Sequence, residues 1–271
     1  MKPIIRPAGI LTAERSTKGK RVGTLDGKVA LVTGAGQSIG RGIALALAAE
    51  GAAVTIAELN AENAKAVAAE VEERGAKALA YPCDIRDTAQ VTACVAATVD
   101  RFGGLNILVN NAMASVVGVP LEETTDATLA LSFATGPVAT LAFMRAAFPH
   151  LKGDGRIVNL RSGSELSGLP GYSAYVAAKA AVGGLTKVAA REWGTHGITV
   201  NAVSPFAPGP TTQAKIEEHP KMLDGILRSL SIKRTGDAEQ DIGRAVAFLV
   251  SPAASYITGC TLMVDGGGSF L

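Results

Sequence analysis

Cysteine is scarce in this chain: Cys83, Cys94 and Cys260 are three in 271 residues. They are odd in number and have no metal-ligand spacing, which argues against a disulfide framework and points to reduced thiols in a cytoplasmic protein. Histidine is as rare, and His150, His196 and His219 stand far apart in sequence. No metal is expected. Charge of one sign is also lacking, with 26 basic against 24 acidic residues and a net charge of +2. The basic residues are scattered among the acids, so no nucleic-acid partner is expected. No apolar run is long enough to span a bilayer, which leaves no reason to expect a membrane partner. The first 24 residues carry Lys2, Arg6, Arg15, Lys18, Lys20 and Arg21 against Glu14 alone and lack an apolar h-region. They read as a flexible basic N-terminal arm over residues 1–24, not a signal peptide. No internal repeat and no second domain are visible.

What is present is apolar and glycine-rich. Hydrophobic residues make up 48% of the chain and glycines number 31, enough for one sizeable core in a single domain over residues 25–271. Short apolar runs at 28–33, 53–57, 77–81, 105–109, 155–161, 199–202 and 261–264 read as strands. Between them, 41–50, 61–74, 88–102, 124–150, 173–193 and 239–250 read as helices. Alternation of this kind gives an α/β fold with a doubly wound parallel sheet.

The first strand runs into Gly34-Ala-Gly36-Gln37-Ser38-Ile39-Gly40 and then a helix. Strand, glycine turn and helix together make a phosphate cradle. Glycine lets the backbone approach a pyrophosphate, and the free amides and dipole of the helix start favour the anion. The second strand ends in Glu58, eighteen residues beyond Gly40. A carboxylate there accepts bonds from the ribose hydroxyls of NAD and repels the extra phosphate of NADP. Neither Gln37 nor Leu59 is a basic residue that would greet that phosphate, so NAD is the expected cofactor.

Tyr175 and Lys179 stand one helical turn apart, so the phenol and the ammonium share a face. A free phenol, with a pKa of ~10, is a poor proton carrier at neutral pH. A neighbouring cation stabilises the phenolate, and the expectation is that Lys179 lowers this value. Ser162, thirteen residues upstream, follows the apolar run 155–161. It belongs at the carboxyl end of a buried strand, where open α/β sheets place their ligands.

Taken together, Thr33-Gly-x-x-x-Ser-Ile-Gly40, Asp84-Ile85, Asn110-Asn111-Ala112, Ser162, Tyr175-x-x-x-Lys179, Tyr256-Ile-Thr-Gly259 and Val264-Asp-Gly-Gly267 resemble the short-chain dehydrogenase/reductase family over roughly residues 25–271. The resemblance implies a Rossmann-like sheet, hydride transfer between NAD(P) and an alcohol or carbonyl, and a homo-oligomer, commonly a homotetramer. It further implies that Tyr175 is the general acid/base, that Lys179 lowers its pKa and holds the nicotinamide ribose, and that Ser162 orients the substrate oxygen. Asp84 and Ile85 would border the adenine, Asn110, Asn111 and Ala112 would line the cofactor, and Pro205 would lie beside the nicotinamide.

Four positions depart from the family pattern. Ser38 stands for the middle glycine of the turn. Met113 stands for the glycine of Asn-Asn-Ala-Gly, narrowing or greasing the site. Phe206 stands for a glycine after Pro205, which leaves Thr211 or Thr212 to bond the nicotinamide carboxamide, two alternatives that the sequence does not separate. Phe133, ahead of Gly136, stands for a catalytic Asn, or Ser132 does if the alignment slips by one residue. Pro137 has no N–H for the carbonyl of residue 133, so a kinked helix with an unpaired acceptor at that point is expected. Met113, Glu165, Tyr172 and Phe206 are the candidate substrate residues, and their mainly apolar character favours a medium-sized secondary alcohol or ketone as the small-molecule partner. The alternatives are a scaffold or sensor that holds NAD(H) with little turnover, and a non-redox epimerase or dehydratase on the same frame.

Overall fold

The structure, a computed structural model, describes residues 23–270. All of the expected basic arm except Gly23 and Thr24 therefore lies outside the described residues. Seven parallel strands form one sheet in the order β3-β2-β1-β4-β5-β6-β7. They are β1 (Val29–Thr33), β2 (Ala53–Glu58), β3 (Ala78–Pro82), β4 (Ile107–Asn110), β5 (Arg156–Leu160), β6 (Thr199–Pro205) and β7 (Thr261–Val264).

Alternation along each strand sends successive side chains to opposite faces. Ala30 and Val32 of β1 join one core, with Val54 and Ile56 of β2, and this core is closed by α1 (Ser38–Ala49), α2 (Ala61–Glu73) and α10 (Arg244–Val250). Val29 and Leu31 join the other, which is closed by α3 (Thr88–Phe102), α5 (Ala139–Leu151) and α7 (Ser173–Trp193). The doubly wound, Rossmann-like single domain follows from these two layers. Local caps fix the helix starts: Asn60 Oδ1 accepts from the amides of Glu62 and Asn63, and Asp87 Oδ1 from those of Ala89 and Gln90.

Three expectations about helices are corrected. First, α1 begins at Ser38, not at Arg41. Gly40 thus lies in the helix, and it belongs there because a Cβ at this position would stand 2.1 Å from the Gly34 carbonyl oxygen. Second, the helix over 124–150 does not open at Pro137. Asp126–Leu151 is one continuous helix of 26 residues, in which α4 (Asp126–Phe133) passes into α5 through a π turn at Ala134–Val138. The extra residue in an i→i+5 turn carries the helix past Pro137, and Ala139 N donates to the Ala134 carbonyl. By length and composition this helix could cross a membrane, contrary to the reading that no run could; its buried Phe143, Met144 and Ala147 pack in the layer on the sheet. Third, α8 (Pro210–Glu218) and α9 (Pro220–Ser229) were not foreseen. A four-residue helix, α6 (Ser164–Ser167), follows β5.

Ser38 has φ +51°, the left-handed region that glycine adopts freely. For an L residue this costs about 1–2 kcal/mol. Ser38→Gly should raise the unfolding free energy by about 1 kcal/mol after glycine's own entropy loss. Gly42 shows the reverse constraint, since a Cβ there would lie 2.3 Å from the carbonyl carbon of Ala238. Gly42→Ala should lower stability by about 1–3 kcal/mol. Denaturant titration measures both, and an unchanged Ser38→Gly would remove the strain argument.

Candidate active site

Strand order reverses at β1, between β2 and β4. A crevice opens there beyond the carboxyl ends of the strands. Thr33 and Asn111 seam it. Thr33 Oγ1 accepts from the amides of Asn111 and Ala112, each at 3.0 Å. Asn111 Nδ2 donates to the carbonyls of Thr33 and Gly34, again at 3.0 Å each. The crevice is a cavity of about 510 Å³, and its walls bring together most of the residues singled out in the sequence. Gly34, Gln37, Ser38, Ile39 and Gly40 form one end with Glu58, Leu59, Asp84 and Ile85. Asn111, Ala112, Met113 and Pro205 continue the wall toward Tyr175 and Lys179.

The glycine end fits a dinucleotide. A Cβ on Gly34 would stand 2.9 Å from Ala112 Cα, so the backbones approach as only glycine permits. The first turn of α1 has no side-chain cap from Gln37, which leaves its amides for an anion. Glu58 is fixed by two amide donors, with Oε2 3.1 Å from Gly36 N and Oε1 3.3 Å from Asn60 N. Gly36 does not itself line the cavity; its amide orients the carboxylate that does. Asp84 is gripped by Arg86, whose Nε lies 2.9 Å from Oδ1 and whose Nη2 lies 2.6 Å from Oδ2. That fork holds the Asp84 carboxyl below its ordinary range.

At the other end, Lys179 is 6% exposed and its Nζ donates to the Leu160 carbonyl at 2.7 Å. Desolvation pushes the ammonium down to about 8, and the charge of Glu165 works against that fall. Lys179 Nζ lies 5.7 Å from the centre of the Tyr175 ring. The expected lowering of the phenol is not what results. Tyr175 is raised, because desolvation outweighs the hydrogen bond from Ser162 that favours the phenolate. Ser162 Oγ also lies 2.7 Å from Ser164 Oγ.

Several expected residues lie elsewhere. Asn110, Ser162, Glu165 and Tyr172 are outside the walls of the main cavity, Asn110 because its side chain turns inward to Asn159. Tyr172 packs edge-on to Tyr175, ring centres 6.0 Å apart. Phe206 lines a separate cavity of about 280 Å³ with Ile232, Met263 and Val264. Thr211 falls in α8, and its side chain is outside the described residues. Conversely, the cavity is lined by Cys83, Arg86, Leu131, Thr135 and Arg161, which the motifs did not single out. A charged residue ending an otherwise apolar strand, as Arg161 does, was a signal available in the sequence. Among the described residues no cluster of His, Cys, Asp and Glu could hold a metal.

Residues 34–269 match the family model described as enoyl-(acyl carrier protein) reductase. The chain is 37% identical over 255 residues to a 12alpha-hydroxysteroid dehydrogenase of Clostridium sp., covering 91% of this chain and 98% of that one. Its fold matches a short-chain dehydrogenase from Burkholderia cenocepacia in complex with NADP, with TM-score 0.84, 37% identity and coverage of 90% and 99%. It also matches a 7 alpha-hydroxysteroid dehydrogenase complexed with NADH and 7-oxo glycochenodeoxycholic acid, with TM-score 0.85, 31% identity and coverage of 90% and 95%.

The buried lysine makes a prediction about stability. Its folded pKa of about 8 lies below the ordinary 10.5, so between these values the unfolded chain binds more protons than the folded one. This contribution is fully present above the ordinary value and is lost as pH falls through about 8. The stability of the wild type relative to Lys179→Met should therefore rise with pH across that window. Denaturant titrations at a series of pH values measure it, and a flat difference would contradict the burial of a titrating ammonium.

Proposed function

Since the chain belongs to the short-chain dehydrogenase/reductase family, and is therefore an NAD(P)-dependent oxidoreductase acting on CH–OH groups, we propose that it prefers NAD and interconverts a secondary alcohol and a ketone of medium size and apolar character. The observation that carries this reading is the shared groove, which has Glu58 and the glycine turn at one end and Tyr175 with Lys179 at the other. A nicotinamide dinucleotide bound along it supplies the acceptor or donor of hydride.

The chain's own residues handle the proton and the orientation. In oxidation the Tyr175 phenolate takes the hydroxyl proton at Oη, and in reduction the Tyr175 hydroxyl returns one to the carbonyl oxygen. Ser162 Oγ holds the same substrate oxygen. Because burial favours the neutral phenol, the phenolate depends on the Ser162 hydroxyl and on the nearby Lys179 ammonium. Lys179 also holds the nicotinamide ribose. Asp84 and Ile85 flank the adenine, Asn111, Ala112 and Pro205 pack along the cofactor, and Glu58 accepts from the adenosine ribose. Met113 and Ala114 make the adjoining wall apolar. An apolar substrate is in keeping with that wall and with relatives named for steroids. The reading includes a homo-oligomer, with the tetramer implied by the family resemblance; Leu129, Val138 and Leu141, 42%, 59% and 38% exposed along one apolar helix, are in keeping with an association surface.

Tyr175→Phe should lower kcat for NADH-dependent reduction of an alicyclic ketone by ~10² or more while the Kd for NADH stays within about threefold. Near wild-type turnover would remove the proposed proton carrier. Lys179→Met should weaken both turnover and NADH binding; a loss of turnover alone would contradict its ribose contact. Wild type should show a higher kcat/KM with NADH than with NADPH, and Glu58→Ala should shrink that ratio. A preference for NADPH, or a ratio indifferent to the substitution, would overturn the cofactor assignment.

A further inference from the structure

Ser162 stands between two opposite charges, Arg161 at the end of β5 and Glu165 in α6. Arg161 Nη2 lies 2.6 Å from Glu165 Oε1, with side chains only 12% and 4% exposed. Four elements build the slot that holds this pair. Besides β5 and α6, β7 supplies Thr261, whose Oγ1 accepts from Arg161 Nη1 at 2.6 Å. From α7, Gly183 leaves room for the guanidinium; a Cβ there would stand 2.6 Å from Arg161 Cζ. The pair is nonetheless unsaturated. Glu165 Oε2 and Arg161 Nε are both buried without a hydrogen-bond partner among the described residues.

Stability is a poor reason for such an arrangement. Desolvating two charges costs about as much as their attraction returns, and apolar replacements of a buried pair are often neutral or better. Position is the better reason, for Arg161 lines the groove beside Tyr175 and Lys179. The charges that meet Glu165 are Arg161 from β5 and Lys179 and Lys187 from α7, all of which favour its ionised form against burial. From the C-terminal segment, Asp265 Oδ2 comes within 3.6 Å of where a Gly163 Cβ would be. The charge of Glu165 raises the proton affinity of both Lys179 and Tyr175.

We propose that Glu165, clamped by Arg161, is a positioning residue of the reaction: its buried carboxylate sets a fixed negative field at Lys179 and Tyr175, and so the pH range over which the couple carries a proton. This rests on the assignment of Tyr175 and Lys179 as that couple. A fixed negative charge favours the protonated form of each. It keeps the ammonium on Lys179 where burial alone would strip it, and the alkaline limit of activity lies correspondingly higher.

The test is an NMR titration of ε-labelled lysine in the full-length protein, with Lys179→Met to assign the signal. It compares wild type, Glu165→Gln and the double variant Arg161→Met, Glu165→Met, in which neither charge is left unpaired. The Lys179 midpoint should fall by roughly half a pH unit or more in both variants. The alkaline limb of kcat/KM for NADH-dependent reduction of an alicyclic ketone should move the same way. A midpoint unchanged in the double variant, or raised, would overturn the proposal and leave the pair a packing feature. If Tyr175→Phe keeps its turnover, the assignment of the couple fails whatever the titration shows. If Tyr175→Phe is inactive and Lys179 titrates identically in all proteins, only the role of Glu165 fails.

Discussion

The hydrogen bonds between Thr33 and Asn111 are the constraint from which the site is measured. A parallel sheet leaves unpaired amides and carbonyls where two neighbouring strands diverge, and β1 and β4 diverge where strand order reverses. One hydroxyl and one carboxamide satisfy them, with four contacts at 3.0 Å. The crevice is thereby held open with these four backbone groups paired. On one side of the seam, the Gly34–Gly40 turn approaches Ala112 closely enough that a side chain would not fit. On the other, Asn110 Nδ2 reaches Asn159 Oδ1 at 2.8 Å, and Asn159 Nδ2 reaches Thr186 Oγ1 at 3.0 Å. This buried chain of amides fixes α7 against β4 and β5, and α7 carries Tyr175 and Lys179.

Electrostatics at the far end of the groove is a contest between burial and charge. An ammonium with one carbonyl partner and little exposure loses proton affinity, and a phenol beside it gains some. Both groups are thereby displaced from their behaviour in water. A proton carrier benefits from such displacement when a second group can reverse it at the moment of reaction. In the proposed mechanism Ser162 and Lys179 do this for Tyr175, and Glu165 does it for Lys179.

Much of this was legible in the sequence, for identifiable reasons. The apolar strands between longer helical runs gave the order of elements, since a strand buried on both faces reads as a continuous apolar run. The glycine turn, Glu58, Asp84, Asn111, Tyr175 and Lys179 lie on one groove because their spacing puts each at a strand end or in the first two turns of a helix. The misses have physical causes as well. Pro137 was read by its missing donor alone, but one extra residue in the turn carries the helix past it, and Thr135 ties that turn to Ala114 at 2.8 Å. Helix α8 went unread because polar residues dominate it, whereas α9, with Leu223, Ile226 and Leu227 at helical spacing, carried a signal that was passed over. Phe206 was placed beside the nicotinamide by its position after Pro205, whereas it turns to a cavity formed with the C-terminal strand. Arg161 was passed over because it stands in an apolar run. The glycine on α7, Thr261 on β7 and the acid four residues on explain how the chain accommodates it there.

The central claim is that the groove joins a dinucleotide to a carbonyl and that the chain directs hydride between them. Incubation of the wild-type protein with an alicyclic ketone and NADH deuterated at its transferable position tests this directly. The account predicts an alcohol carrying deuterium at the carbinol carbon, at one face of the ring, with NAD formed in equal amount. Consumption of the ketone without that label, or binding of NADH with no labelled alcohol from a panel of ketones, would contradict it.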